Sequence, residues 1–157
     1  MKYAAIQNND FINGEGVCVS FWVQGCPFKC PGCHNPQAWD FDGGEDLPND
    51  YKGHIIKAIS ANGIERNFSI LGGEPLCPEN IQLTHDIVNI VRTAYPHIKI
   101  FIWTGYTLEN LKDPLIKDIL NQIDVLIDGP YVQEKRDTTL KLRGSSNQRL
   151  LYKGIDF

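Results

Sequence analysis

Three cysteines, Cys26, Cys30 and Cys33, fall within the run Gly25-Cys26-Pro27-Phe28-Lys29-Cys30-Pro31-Gly32-Cys33-His34-Asn35-Pro36. Their spacing is Cys-x3-Cys-x2-Cys. On a helix, positions i, i+4 and i+7 would share one face. Pro31 would then clash with the carbonyl of Pro27, and Gly32 adds backbone freedom, so the segment reads as an irregular loop with its sulfurs turned inward. A dense run of thiolates on such a loop is a metal site. Three thiolates with no evident fourth suit a four-iron cluster in which one iron stays open to an outside ligand. The competing reading is a structural zinc site, with His34, Cys18 or Cys77 as fourth ligand. Zinc modules usually draw ligand pairs from two separated loops, and only one dense loop exists here.

A second candidate is Gly72-Gly73-Glu74-Pro75, which follows the apolar run Phe68-Ser69-Ile70-Leu71. Paired glycines let a polar ligand approach the backbone closely, and Glu74 is suited to pair with an amino group. The plain alternative is a turn. Asp128, at the end of Asp124-Val125-Leu126-Ile127-Asp128, is suited to accept from a ribose hydroxyl or to serve as a turn residue. Cys18 and Cys77 read as small packed residues rather than ligands. His54, His85 and His97 carry no pattern. The polar stretch from Leu142 to Arg149 reads as a solvated loop.

These residues need a frame that brings them together. Lys2 to Gln7 and Val17 to Val23 read as strands, the second leading straight into the cysteine loop. Trp39 to Asn49 reads as irregular. A helix is expected over Tyr51 to Ala61, with Asn49 or Asp50 as its cap and Ile55, Ile56 and Ile59 inward. A second helix is expected over Pro78 to Tyr95. A third is expected from Thr107 to Gln122, broken at Pro114. Further strands are expected at 68–71, 99–103 and 124–129. Strands alternate with helices, and several strands are apolar throughout, which points to an α/β class with a parallel sheet covered by helices. Four or five βα units fall short of an eight-fold barrel, so the expected architecture is an open, partial βα barrel. Ligands gather at the carboxyl ends of such strands, where the cysteine loop, Gly72–Pro75, Thr104–Tyr106 and Asp128–Gly129 would share one rim.

The whole chain narrows the function classes. Its 157 residues suit a single domain, 1–157, and 42% apolar residues suffice for a core. A net charge of −4 gives no reason to expect nucleic-acid binding. No apolar run approaches the ~20 residues that span a bilayer, and the start lacks a signal-peptide apolar segment. The odd count of five cysteines, three of them clustered, fits metal binding in a reducing compartment rather than a disulfide framework. A cytoplasmic protein is expected.

The cysteine loop together with Gly72-Gly73-Glu74-Pro75 resembles the radical S-adenosylmethionine superfamily. Asn13-Gly14-Glu15-Gly16, Cys30-Pro31-Gly32-Cys33-His34-Asn35, Trp103-Thr104-Gly105-Tyr106, Ile127-Asp128-Gly129 and Arg143-Gly144-Ser145-Ser146-Asn147-Gln148 are similar to the activating proteins of the anaerobic (class III) ribonucleotide reductases. Gly32 stands where many superfamily members carry an aromatic residue, and glycine there matches this narrower family. The resemblance implies a radical-SAM-type partial barrel and a [4Fe-4S] cluster on Cys26, Cys30 and Cys33. It implies S-adenosyl-L-methionine bound at the open iron, against Gly32, Cys33, His34, Gly72, Gly73 and Glu74, with Asp128 as a ribose contact. An electron from a reduced flavodoxin-like donor would yield a 5'-deoxyadenosyl radical. That radical would take a hydrogen from a glycine of the reductase large subunit. Two other functions compete: a radical enzyme acting on a small molecule such as a pterin or deazapurine, and a zinc-binding interaction module.

Overall fold

The structure, a computed structural model, describes all 157 residues. The chain runs β1 (Lys2–Asp10), β2 (Cys18–Val23), β3 (Glu45–Asp46), α1 (Tyr51–Ile59), β4 (Asn67–Gly72), α2 (Ile81–Ala94), β5 (Ile100–Trp103), α3 (Pro114–Gln122), β6 (Val125–Asp128) and β7 (Arg149–Tyr152). One open seven-stranded sheet results, in the order β3-β1-β2-β4-β5-β6-β7. Its middle strands, β2, β4, β5 and β6, are parallel neighbours in chain order. The outer strands β1, β3 and β7 are antiparallel. The sheet is therefore mixed, not parallel throughout. The parallel pairs each span a helical crossover, whereas β1 reaches β2 through a seven-residue turn that forces antiparallel pairing.

Three successive crossovers step in one direction across the sheet, and right-handed crossovers of that kind put their helices on one face. Side-chain alternation supplies that face. Val19, Phe21 and Val23 of β2, Phe68 and Ile70 of β4, Ile100 and Ile102 of β5 and Leu126 of β6 form one core with Ile55 and Ile59 of α1, Ile87, Val88 and Val91 of α2, and Ile116 and Ile119 of α3. The residues between them face the other way: Cys18, Ser20 and Trp22, Ser69 and Leu71, Phe101 and Trp103, Val125 and Ile127. Phe101, Val125 and Ile127 make a smaller apolar cluster there with Trp103, Leu142, Leu150 and Tyr152. No helix covers this second face. Loops do, and the strands are apolar on both sides for that reason.

Two helix boundaries differ from expectation in an informative way. Asp50 stands at the start of α1 but makes no side-chain cap bond. Pro114 does not break a helix running from Thr107. It is the first residue of α3, where its missing N–H costs nothing, and Asp113 caps the helix by accepting from Leu115 N at 2.8 Å. Residues 108–110 form a separate 3-10 turn. Strands β3 and β7 were not expected. β7 pairs with β6 from Val125↔Tyr152 to Asp128↔Arg149 and adds a seventh strand beyond the last crossover. No helix is long and apolar enough to cross a membrane.

Candidate functional site

The four parallel strands end side by side, and their exit segments are tied to one another. After β2, Gly25 N donates to Ala38 O at 2.8 Å and Cys26 N to Trp39 O at 3.1 Å, which closes the cysteine loop at its base. Gln24 is buried, and its amide nitrogen donates to Gln37 O and Asp40 O, holding the return of that loop. After β4, Gly73 N donates to Val23 O and Glu74 N to Gly25 O, at 2.9 and 2.8 Å. The glycines are required here. Gly72 has φ +112, and a Cβ on Gly73 would run into the Gly25 carbonyl. The buried Asn80 amide donates to three carbonyls, Gln24 O at 3.1 Å, Gly25 O at 3.2 Å and Glu74 O at 3.0 Å. One side chain thus stitches the entry of the cysteine loop to the turn after β4.

Glu74 extends the same stitching to β5. Its carboxylate, 1% exposed, accepts from Leu76 N at 2.8 Å, Thr104 Oγ1 at 2.7 Å and Gly105 N at 2.6 Å. Burial outweighs these three donors and pushes the carboxyl up to about 7. Phe28, inside the cysteine loop, packs edge-on to Tyr106 at 4.8 Å and lies over Gly105, where a Cβ would be 2.7 Å from its ring. The loop's far end rests on the segment after β6. His34 meets Tyr131 edge-on at 5.3 Å, Gly32 abuts the Gln133 side chain, and Tyr131 Oη donates to Gln133 Oε1 at 2.7 Å.

Between these segments and the loop-covered face lies a cavity of about 510 Å³, within the range of small-molecule sites. Cys26, Cys30, Cys33 and His34 line it, together with Gly72, Gly73 and Glu74 from the turn after β4. Trp22, Leu71, Trp103, Thr104 and Gly105 form its floor and one wall, and Gly129, Tyr131, Leu142, Arg143, Gly144 and Gln148 close it from the β6 side. Seven of the nine residues picked out in the sequence therefore meet at one wall. Gly32 and Asp128 are outside it. Asp128, fully buried, is spent on structure. Its oxygens accept from Arg149 Nε at 2.9 Å, Arg149 Nη2 at 2.5 Å and Leu108 N at 2.8 Å. A ribose hydroxyl has no access to that carboxylate, which instead joins β6 to β7 and to the 108–110 turn.

The donor set fits an iron–sulfur cluster better than a lone ion. No three His, Cys, Asp or Glu side chains converge closely enough to hold a single metal ion. In a cluster each thiolate meets a different iron, so three sulfurs spread over one wall are what is needed. Asn35 N donates to Cys33 Sγ at 3.4 Å, a contact of the kind that tunes cluster potential. Burial raises the Cys26 thiol above its usual range, so ligation must overcome that shift by direct bonding to metal. Cys18 and Cys77 stand apart from this wall. Cys18 lies under Gly14, whose Cβ would be 2.5 Å from the sulfur. Cys77 donates to Glu74 O at 3.2 Å, and burial pushes its thiol up to about 12.

Several residues that build the site were not picked out for it by composition or spacing. Asn80 falls inside the helix expected over Pro78 to Tyr95, and Phe28 looks like any loop aromatic. The stretch from Leu142 to Arg149, expected to be a solvated loop, contributes Leu142, Arg143, Gly144 and Gln148 to the cavity wall. Trp103 Nε1 donates to Leu142 O at 2.9 Å, and Gln148 Oε1 accepts from Gly144 N and Ser145 N while its amide donates to Gly129 O.

Comparison with known proteins agrees with this site. A family model described as a 4Fe-4S single cluster domain matches residues 12–151. The chain is 38% identical over 150 residues to the anaerobic ribonucleoside-triphosphate reductase-activating protein of Pasteurella multocida, covering 94% of this chain and 95% of that one. It is 35% identical over 149 residues to the protein of that name from Escherichia coli K12, covering 94% and 96%. It is 37% identical over 151 residues to the one from Enterobacteria phage T4, covering 96% and 93%.

Proposed function

We propose, from the premise that this chain belongs to the 4Fe-4S family of anaerobic ribonucleoside-triphosphate reductase-activating proteins, that it is the radical-generating enzyme that activates such a reductase. The observation that carries the reading is the shared wall: three cysteines and the Gly72-Gly73-Glu74 turn face one cavity at the carboxyl ends of parallel strands. Cys26, Cys30 and Cys33 would hold the [4Fe-4S] cluster. The second cofactor is S-adenosyl-L-methionine. Bound there, the pair would supply a one-electron reductive cleavage of the sulfonium carbon–sulfur bond, the electron coming from the donor and methionine leaving, to give a 5'-deoxyadenosyl radical able to take a hydrogen atom from a glycine of the reductase.

The chain's own residues bind, orient and exclude water. Gly72 and Gly73 present backbone with no side chain between it and the cofactor's methionine amino group. Glu74 fixes that turn against Thr104 and Gly105 and places negative potential beside it when ionised. Phe28 and His34 pin the two ends of the cysteine loop to Tyr106 and Tyr131. Trp22, Leu71, Trp103 and Leu142 give the cavity an apolar floor that keeps bulk water from a radical. The helix-backed parallel strands act as a partial βα barrel of the radical SAM type, and residues 1–157 as one such domain. A reduced flavodoxin-like protein serves as the electron donor, and the setting is the cytoplasm.

The test is anaerobic. Reconstituted protein with dithionite should cleave S-adenosyl-L-methionine to 5'-deoxyadenosine. With the reductase added, an electron paramagnetic resonance signal of a glycyl radical should appear on the reductase. Cofactor cleavage with no radical on the reductase, or turnover of a small molecule without any protein partner, overturns the assignment.

A further inference from the structure

The turn between β1 and β2 carries two large apolar side chains in the open. Phe11 is 74% exposed and Ile12 is 81% exposed. The turn is nonetheless firmly built. Asp10, 4% exposed, accepts from Ile12 N at 2.9 Å, Asn13 N at 3.0 Å and Asn13 Nδ2 at 2.9 Å. Beyond it, Ser69 Oγ donates to Asn13 O at 2.6 Å, and Gly14 lies on the sheet against Cys18 and Ser69. Two apolar side chains held outward by a satisfied buried carboxylate are a presented surface rather than a frayed end. Rimmed patches of this kind mark protein contacts, since a small molecule would need a concave site.

The turn's position says what it meets. Ile12 and Asn13 line the cavity that holds the three cysteines, as do Leu140 and Leu142, so the exposed pair stands at its edge. The other strongly exposed aliphatic residues are elsewhere. Met1 precedes β1, Ile64 precedes β4 and Ile155 follows β7, and none of the three lines the cavity. A cavity of about 510 Å³ admits an extended chain segment but no folded domain. A glycine in such a segment offers bare backbone to the cavity while its neighbours rest on the rim.

We propose that the Phe11–Ile12 turn is a docking element for the protein substrate, gripping the extended, glycine-bearing segment of the reductase as it enters the cavity. This rests on the function proposed above. The variants are Phe11→Ser, at a residue outside the cavity wall, and Ile155→Ser as an equally exposed control on the segment after β7. Both should cleave S-adenosyl-L-methionine at the wild-type rate without the reductase. Phe11→Ser should bind the purified reductase about tenfold or more weakly, and its glycyl-radical yield should fall at low reductase concentration and recover at saturation. Ile155→Ser should match wild type in both. Wild-type affinity in Phe11→Ser overturns the docking role alone. Self-association that Phe11→Ser abolishes, with reductase affinity unchanged, assigns the patch to a second copy of this chain and also overturns it. Wild-type protein that cleaves the cofactor yet neither binds the reductase nor places a radical on it overturns the functional reading, and the docking role with it.

Discussion

Replacing Asn80 tests whether the site is held by its rim. Asn80 stands at the position preceding α2, where asparagine normally caps a helix, yet its side chain makes no cap bond. The amide is turned to Gln24 O, Gly25 O and Glu74 O, at 3.0–3.2 Å. Gly25 O also accepts from Glu74 N and Glu74 O from the Cys77 thiol, so the group most exposed to loss is Gln24 O. An amide has two protons, and losing both donations while leaving a buried carbonyl unpaired costs about 2–3 kcal/mol. At ~2–4 °C per kcal/mol for a chain of this size, Asn80→Ala should unfold about 4–12 °C lower. Asn80→Asp separates the explanations. Aspartate caps helices as well as asparagine does, so a capping role predicts near-wild-type stability. The rim role predicts the reverse, because a carboxylate would face three carbonyl oxygens with nothing to donate, and Asn80→Asp should be less stable than Asn80→Ala. The assay is anaerobic thermal unfolding of samples matched for iron content, with the rate of iron loss to a chelator as a second readout. Asn80→Asp at or above Asn80→Ala refutes the account.

Changing Cys26, Cys30 or Cys33 to Ala should abolish the iron–sulfur absorbance, whereas Cys18→Ala and Cys77→Ala should retain it; loss in Cys77→Ala shows the ligand set to be wrong. Glu74 gives a pH signature. Its folded pKa of about 7 lies above the ordinary 4.5, so the fold favours the protonated form, and stability should fall as pH rises from about 4.5 to about 7 and level off above. Glu74→Gln should remove that fall from a plot of unfolding midpoint against pH, and parallel curves for the two proteins refute it. Asp128→Asn should cost about 2–3 kcal/mol, less than a fully buried pair because Arg149 is partly exposed, with cofactor affinity within about twofold of wild type. A tenfold weaker cofactor Kd at unchanged stability would restore the ribose contact.

What could be read from the sequence was whatever a local pattern dictates. The apolar runs at 68–71, 99–103 and 124–129 appear as β4, β5 and β6, and the α2 periodicity of Ile87, Val88 and Val91 is the buried stripe. The cysteine loop and the Gly-Gly turn were legible because metal and backbone chemistry restrict residue type. Features set by distant contacts were not. Asp128 looks like a free carboxylate at a strand end, and only β7 brings Arg149 to it. β7 itself is four residues beside a polar stretch, with no period to mark it. Pro114 reads as a break until Asp113 is seen to cap the helix it begins. Asn80 falls within the expected Pro78–Tyr95 helix, and nothing local reveals the three carbonyls it serves.

The two faces of the sheet explain why the site is where it is. The helix-covered face closes mainly by apolar side chains, since the helices satisfy their own backbones. The other face is covered by loops, whose N–H and C=O groups need partners wherever they leave water. The sheet supplies these from polar side chains on that face. Ser69 donates to Asn13 O, Asn67 to Glu15 O at 3.0 Å and Trp103 to Leu142 O. A loop fixed at such points lies across the sheet without filling the space beneath it, as an interdigitating helix would. The cavity is what remains between polar stitches, at the strand ends where the loops are longest. Its walls are consequently chain segments of irregular shape, and a residue such as Phe11 reaches its edge on a turn that is rigid without being packed.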